Sequence, residues 1–403
     1  MARQQYGVAE IIRDYLPIMD SSKIPIHHVK TLSAIQRCRT AELGGHIDQC
    51  DACGHLKISY NSCRNRHCPK CQGLNKEMWI IQQEDMLLPV AYYHVVFTLP
   101  HEFNLLCMYN PRKMYDLLFS ASWHTLKTLA ADPQWIGAKT AATMVLHTWS
   151  QNLSLHPHLH CIVPNGGLTK DGKWQFPKKG SNNFLFPVAA MKKIFKGYFM
   201  DKVRDMIKSN SIVIPPLYFE NYGGLKKWRK LLYDKQWVVY TKKPFSTSKH
   251  VIDYLGRYSH RVAITDRRII GSEDGQVLFS YKDYRVNADN KVMTLKGTEF
   301  IRRFCLHILP PHYRKVRQYG LTSNASKAKS IAIARKALGL KHKELLTKSE
   351  RKAMAILRLF GTAELDDCPC CKKGKMKIIF GINKNRPPPK ALLDKIKKQN
   401  RKS

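Results

Sequence analysis

The chain has 403 residues, long enough for two or three domains with real cores, and its 44% apolar share fits globular folding and excludes a disordered or fibrous protein. Lys and Arg number 68 against 30 Asp and Glu, a formal charge of +38, which predicts a polyanionic partner and places nucleic acid well ahead of an anionic membrane. No signal-peptide pattern opens the sequence, and the longest apolar run, around residues 86–99, is too short and too polar to span a bilayer, so a cytoplasmic protein is expected.

Residues 1–35 show helical periodicity through Ile11, Ile12, Tyr15 and Leu16 and lead into "CDACGHLKISYNSCRNRHCPKCQ". The twelve cysteines sit in short spacings without a secretory signal, which indicates metal rather than disulfides. Cys50 and Cys53 form one C-x-x-C knuckle, Cys68 and Cys71 a second, and 14 residues lie between them. Four thiolates so arranged can close a tetrahedron around a structural Zn2+. Buried free cysteines would not come as paired knuckles. Cys63 and His67 lie between the knuckles and Cys38 and His46 precede them, which leaves a second zinc or an exchange of ligands open. Arg64, Arg66 and Lys70 make this module a candidate DNA contact. Near the other end, Cys368, Cys370 and Cys371 in "CPCCKKGK" offer one x-x pair with no visible second pair, a weak metal signal.

Downstream of the first cluster, "AYYHVVFTLP" reads as a strand, "PRKMYDLLFSASWHTLKTLA" as a helix and "AATMVLHTW" as a strand. Then comes "LHPHLHCIVPNGG". If a strand starts after Pro157, His158, His160 and Ile162 share one face while Leu159, Cys161 and Val163 pack into the core. Two imidazoles then project into a cleft as metal ligands. Gln151, just upstream, is the expected third ligand, with His156, His147 and His94 as competitors. A lone histidine here would read as a satisfied core residue; two flanking an apolar residue in so basic a chain shift the balance toward a metal site.

The stretch "NGGLTKDGKWQF" reads as a hairpin turning at Asp171-Gly172. Gly167, Gly172 and Lys173 match phosphate-loop spacing, but Trp174 stands where Ser or Thr would hold magnesium, and an ATPase is dismissed. Val188 to Lys208 has the spacing of an amphipathic helix, "QWVVYT" of a strand and residues 246–259 of a helix. On that last helix Tyr254 and Tyr258 are i and i+4 and stack on one face. Core packing is the plain reading of the pair, yet Arg257, His260 and Arg261 surround it with phosphate-binding groups. A tyrosine phenolate can displace the 3′ oxygen of a phosphodiester while a divalent cation stabilises the developing charge. Beyond Ala263 the chain is hairpin-like in "RRIIGSEDGQVLFSY", then helical and basic. From Lys372 onward twelve residues are Lys or Arg against a single Asp394, which predicts a flexible tail.

Hairpins mixed with helices predict an α+β fold with a mainly antiparallel central sheet. The expected organisation is an N-terminal helical and zinc-binding domain over 1–85, a nuclease domain over 86–265, a β-hairpin and basic helical DNA-binding region over 266–365, and a flexible tail over 366–403.

His158-Leu159-His160 followed by Tyr254-x-x-x-Tyr258 resembles the HUH endonucleases. Together "LHTWSQNLSLHPHLHCIVPNGG", "SYNSCRNRHCPKCQ" and "YLGRYSHRVAI" resemble the rolling-circle transposases of the insertion-sequence-91 family, over roughly residues 10–320 and with the three motifs in order. The resemblance implies an N-terminal zinc-binding domain, an HUH nuclease with a central antiparallel sheet flanked by helices, and catalytic Tyr254 and Tyr258 acting through 5′-phosphotyrosine intermediates. It implies Mg2+ or Mn2+ beside the structural Zn2+, and as partners single-stranded DNA at transposon ends, target DNA and host replication machinery, with a nucleoid location and no membrane. It does not name the third ligand of the catalytic metal. A plasmid replication initiator or relaxase would use the same chemistry, and a zinc-containing DNA-binding regulator would use none of it.

Overall fold

The computed structural model describes residues 6–178, 185–242, 244–245, 250–251, 256, 261–283, 288–361 and 366–400. In chain order its first strands are β1 (Gly45–Cys50), β2 (Leu56–Tyr60), β3 (Tyr92–Thr98), β4 (Ala141–Trp149), β5 (Leu155–Pro164), β6 (Gly167–Leu168), β7 (Trp174–Gln175) and β8 (Val239–Thr241). They are followed by β9 (Ile269–Glu273), β10 (Gln276–Asp283), β11 (Ala288–Lys296), β12 (Val316–Gly320) and β13 (Met376–Ile382). Every pairing among these strands is antiparallel, and helices interleave with them, so the fold is α+β.

Two units divide the chain, one made of Met1–Gln82, Val262–Ile308 and Leu346–Ser403, the other of Gln83–Arg261 and Leu309–Leu345. In the second unit the five-stranded sheet runs in the order β12-β4-β5-β3-β8, which puts β5, the histidine strand, at its centre. Alternation then sorts its side chains. Leu159, Cys161 and Val163 are fully buried on one face. Phe97 of β3, the register partner of Leu159, lies on that face too and packs on Phe195 of the helix Val188–Lys208 with ring centroids 5.0 Å apart. The helix Pro111–Ala131 packs there as well. Each buried Leu or Phe contributes roughly 1.5–3 kcal/mol, so this face anchors the sheet and leaves the other for chemistry.

The strand β5 begins at Leu155, earlier than the expected start after Pro157. Trp149 pairs with Leu155 and His147 with His158, so two steps along β4 span three along β5, a bulge that holds His156 and Pro157. Proline has no N–H to give, and an interrupted ladder is where a central strand tolerates it. Beyond β5 the expected hairpin forms from β6 and β7, and Gly172 takes φ +80° at its turn, a conformation glycine adopts without a Cβ penalty.

In the first unit β1 is the middle strand of the sheet β13-β1-β2, and Ile47, Leu56, Ile382 and Ile396 form a small core there. This corrects the expectation of a flexible tail. Residues 376–382 form a strand on β1, and the basic helix Lys390–Asn400 sends Ile396 into the core. The anchors were hard to see because β13 is an edge strand exposed over most of its length, with Ile382 alone fully buried. The expected region 266–365 is likewise not one body. Its hairpin, β11 and the helix Gly297–Cys305 belong to the first unit, while β12 joins the five-stranded sheet, pairing Val316 with Val145.

Candidate metal centres

His158 and His160 stand on the face of β5 opposite Leu159, Cys161 and Val163, and the register sets His147 of β4 directly across from His158. One ring nitrogen from each of His147, His158 and His160 lies within 4.8 Å of the other two. The hydrogen bonds decide which nitrogen is available. His158 Nδ1 lies 2.7 Å from the carbonyl of His156; a carbonyl only accepts, so Nδ1 carries the proton and Nε2 keeps its lone pair. Nδ1 of His160 lies 3.0 Å from Nε2 of His94, on β3, and with Nδ1 as the donor His160 Nε2 keeps its lone pair as well. Burial, reinforced by neighbouring imidazoles and the charge of Arg261, pushes His158 down to about 4 and His160 well below its ordinary value. Burial and the charge of Lys242 push His94 down to about 3. His158 and His160 are thus neutral near pH 7, the form that binds a metal, and with His147 they set three imidazoles on a central sheet, a donor set that fits a divalent cation.

The third imidazole that the sheet supplies is thus His147, 2% exposed and stacked on Trp149 at 4.4 Å. Gln151 sits in the turn that joins β4 to β5. His156 is exposed, with its carbonyl used by His158. Tyr254, Tyr258, Arg257 and His260 lie outside the described residues. Arg261 is described, and its carbonyl accepts a hydrogen bond from Lys315 Nζ at 3.2 Å.

The cysteines sort differently from the expected Cys50-Cys53-Cys68-Cys71 site, and Cys38 and Cys63, among the residues left open for a second zinc or an exchange of ligands, enter a quartet. Cys50 and Cys53 do not share a cluster with Cys68 and Cys71. One quartet is Cys38, Cys63, Cys68 and Cys71; the other is Cys50, Cys53, Cys368 and Cys371; in each the sulfurs lie within 4.8 Å of one another. Cys63 and Cys71 are 3.7 Å apart, close to the roughly 3.8 Å edge of a tetrahedron with zinc–sulfur bonds of about 2.3 Å. Backbone amides stabilise thiolates here: Cys63 N–H donates to Cys38 Sγ, Asn65 N–H to Cys63 Sγ and Lys70 N–H to Cys68 Sγ, each at 3.4 Å. Spacing favoured the adjacent knuckles, but Cys50 and Cys53 sit at the turn that joins β1 to β2, and β2 carries the chain away from that turn before Cys63, Cys68 and Cys71. His46 lies outside both quartets, 3.4 Å from Asp48 Oδ2, and so does His67, whose N–H donates to Asn65 Oδ1. Cys370 is exposed and likewise outside.

Of the expected DNA contacts in this module, Lys70 pairs with Glu10 at 3.2 Å, and Arg66 is half-buried, its pKa lowered by that burial. Arg64 is exposed and adopts φ +55°.

A profile described as "Transposase zinc-binding domain" matches residues 11–99, and one described as "Putative transposase" matches residues 141–330. The chain is 39% identical to "Putative transposase y4qJ" of Sinorhizobium fredii over 97% of its own length and 99% of that protein. It is 30% identical to the "Transposase for insertion sequence element IS801" of Pseudomonas savastanoi pv. phaseolicola over 73% of its own length and 70% of that protein. The chain belongs to the insertion-sequence-91 family of transposases. Among solved structures none matches it significantly. In this transposase the histidine trio falls inside the matched transposase segment, and six of the eight quartet cysteines fall inside the zinc-binding domain. Cys368 and Cys371 lie outside both segments. No helix among the described residues of the transposase is long and apolar enough to cross a membrane. Sequence reasoning undervalued His147, whose signal was the hairpin that β4 and β5 must form, and Cys368-x-x-Cys371, which is itself a knuckle.

Proposed function

We propose that this transposase nicks and rejoins single-stranded DNA at transposon ends through 5′-phosphotyrosine intermediates, with Tyr254 and Tyr258 as nucleophiles. The observation that carries the reading is the convergence of His147, His158 and His160 on one face of the central strand pair, upstream of a Tyr-x-x-x-Tyr pair in the same family segment. A Mg2+ or Mn2+ ion held by the three imidazoles, when bound, supplies charge stabilisation at the scissile phosphate. The chain's own residues do the rest. Leu159 and Cys161, fully buried, anchor β5 from behind and so fix the backbone that carries His158 and His160. The His156 carbonyl fixes the tautomer of His158, and His94 orients the His160 ring through its Nδ1. A tyrosine oxygen forms a bond to phosphorus as the bond from phosphorus to the 3′ oxygen breaks, which frees a 3′-hydroxyl and conserves the phosphodiester energy; attack by a 3′-hydroxyl on the phosphotyrosine reverses it. Two tyrosines allow a second strand to be held before the first is resolved, and the freed 3′-hydroxyl can prime host synthesis.

The deciding experiment incubates the protein and divalent metal with 5′- or 3′-labelled single strands carrying a transposon end. A denaturation-resistant adduct with the strand 3′ of the nick, mapped to Tyr254 or Tyr258, is expected. Binding without any adduct would leave a DNA-binding regulator in its place.

A further inference from the structure

Two C-x-x-C knuckles from opposite ends of the chain meet in the first unit. The strand β1 ends at Cys50, β13 begins at Met376, and these two residues are register partners, so the turn leaving β1 and the turn entering β13 occupy the same end of one sheet. Cys53 and Cys368, 315 positions apart, have their sulfurs 3.7 Å from each other, and Cys50 and Cys371 have theirs at 3.7 Å as well. That separation is far from the roughly 2.05 Å of a disulfide and close to the edge of a zinc tetrathiolate. The cysteines form no disulfide. Cys53 N–H points at Cys50 Sγ at 3.5 Å and Gly374 N–H at Cys371 Sγ at 3.4 Å, so each knuckle brings an amide to a ligand sulfur. Gly374 is required by the approach itself, because a Cβ there would sit 2.6 Å from Cys50 Sγ. Asp51 adds a further tie, accepting from Lys375 N–H at 2.8 Å while its own N–H donates to the Lys375 carbonyl.

We propose that Cys50, Cys53, Cys368 and Cys371 bind a second structural zinc ion that clasps the C-terminal segment onto the N-terminal zinc-binding domain. The first quartet is local, with all four ligands between residues 38 and 71; the second is a closure between chain ends. It adds to the ladder with β1, because the side chains of β13 are exposed over most of the strand and the small core it joins is Ile47, Leu56, Ile382 and Ile396. With the clasp shut, the helix Lys390–Asn400 stays on this unit, where Gln399 accepts a hydrogen bond from Leu56 N–H at 3.0 Å, and its lysines become part of the DNA-binding surface rather than of a loose tail. The zinc-binding domain is then incomplete in any chain that stops before Cys371.

The test measures zinc per chain by elemental mass spectrometry on the full-length protein after dialysis against metal-free buffer, together with the native mass and the trypsin digestion pattern. Wild type should carry about two zinc ions and resist cleavage between residues 366 and 400. Cys371→Ser should carry about one and release the C-terminal segment to trypsin, while Cys370→Ser, at the exposed neighbour outside the quartet, should keep two and stay resistant. If Cys371→Ser is insoluble, Cys371→His, which retains a zinc donor, should restore both the second zinc and the protection. One zinc ion in wild type, two in Cys371→Ser, or a native mass lower by two hydrogens with a disulfide in place of the second zinc would each overturn the clasp.

Discussion

His94 and His160 are hydrogen-bonded ring to ring across neighbouring strands, Nε2 to Nδ1 at 3.0 Å, with their planes stacked 15° from parallel. In the proposed centre His94 is then a positioning residue, holding the His160 ring through Nδ1 and leaving Nε2 toward the metal. Losing such a partner typically costs about 10–100-fold in metal affinity or activity. His94→Ala should raise the Mn2+ concentration needed for half-maximal nicking by that order while leaving single-strand binding intact, and His94→Gln, which keeps a hydrogen-bonding group, should recover part of it. An unchanged metal requirement in His94→Ala would reduce the pair to core packing.

The third ligand separates by substitution. His158→Ala, His160→Ala and His147→Ala should each bring nicking to background, because removing a ligand deletes charge stabilisation at the phosphate but not the basic surface that grips the strand. Gln151→Ala should retain most of the activity. Nicking and filter-binding assays on the same preparations check this; the reverse pattern, with His147 dispensable and Gln151 required, would return the third position to the turn.

How much of this was legible in the sequence follows from the range of the forces involved. Period-two alternation is local, and it was enough to put His158 and His160 on one face and Leu159, Cys161 and Val163 on the other. The partner His147 depends on hairpin register, which a bulge at His156 and Pro157 shifts by one residue, so position along the chain alone pointed to the turn. Cysteine spacing failed for a related reason. Two knuckles 14 residues apart suggest one site, but the first is the turn of the β1–β2 hairpin and β2 separates it from the second, and Cys368-x-x-Cys371 finds its second pair only through β1 and β13. The basic composition of the C-terminal segment outweighed two isolated isoleucines, Ile382 and Ile396, that hold it down.

The local quartet predicts a folding defect confined to one unit. Cys68→Ser removes a fully buried ligand, so it should lose about one zinc ion per chain and weaken DNA binding, with a lower melting midpoint for the zinc-dependent transition. Chelation of wild type by EDTA should produce this transition together with loss of the second quartet's zinc. Full zinc content in Cys68→Ser would contradict the quartet.

Salt dependence reports the charge. Affinity for DNA should fall linearly on a log–log plot as salt rises, with a slope of about −0.7 per phosphate contact for single strands. With a net charge of +38 the slope should be steep, and fluorescence anisotropy across a salt series measures it. A flat plot would leave the excess of Lys and Arg without a part in binding.

The tyrosines give the last prediction, argued from sequence because both lie outside the described residues. Tyr→Phe keeps the ring and removes one hydroxyl, so a pair that merely packs should tolerate it with little loss. A nucleophilic pair should not. Tyr254→Phe and Tyr258→Phe should each still nick through the remaining tyrosine, while complete strand transfer between two transposon ends fails, because the second strand has no hydroxyl to hold it. The double variant should bind single-stranded DNA as wild type does, through the same basic surface, and form no covalent 5′ adduct on a denaturing gel. An adduct that persists in the double variant, mapped by mass spectrometry to another residue, would move the nucleophile and remove the two-tyrosine reading of the 246–259 segment.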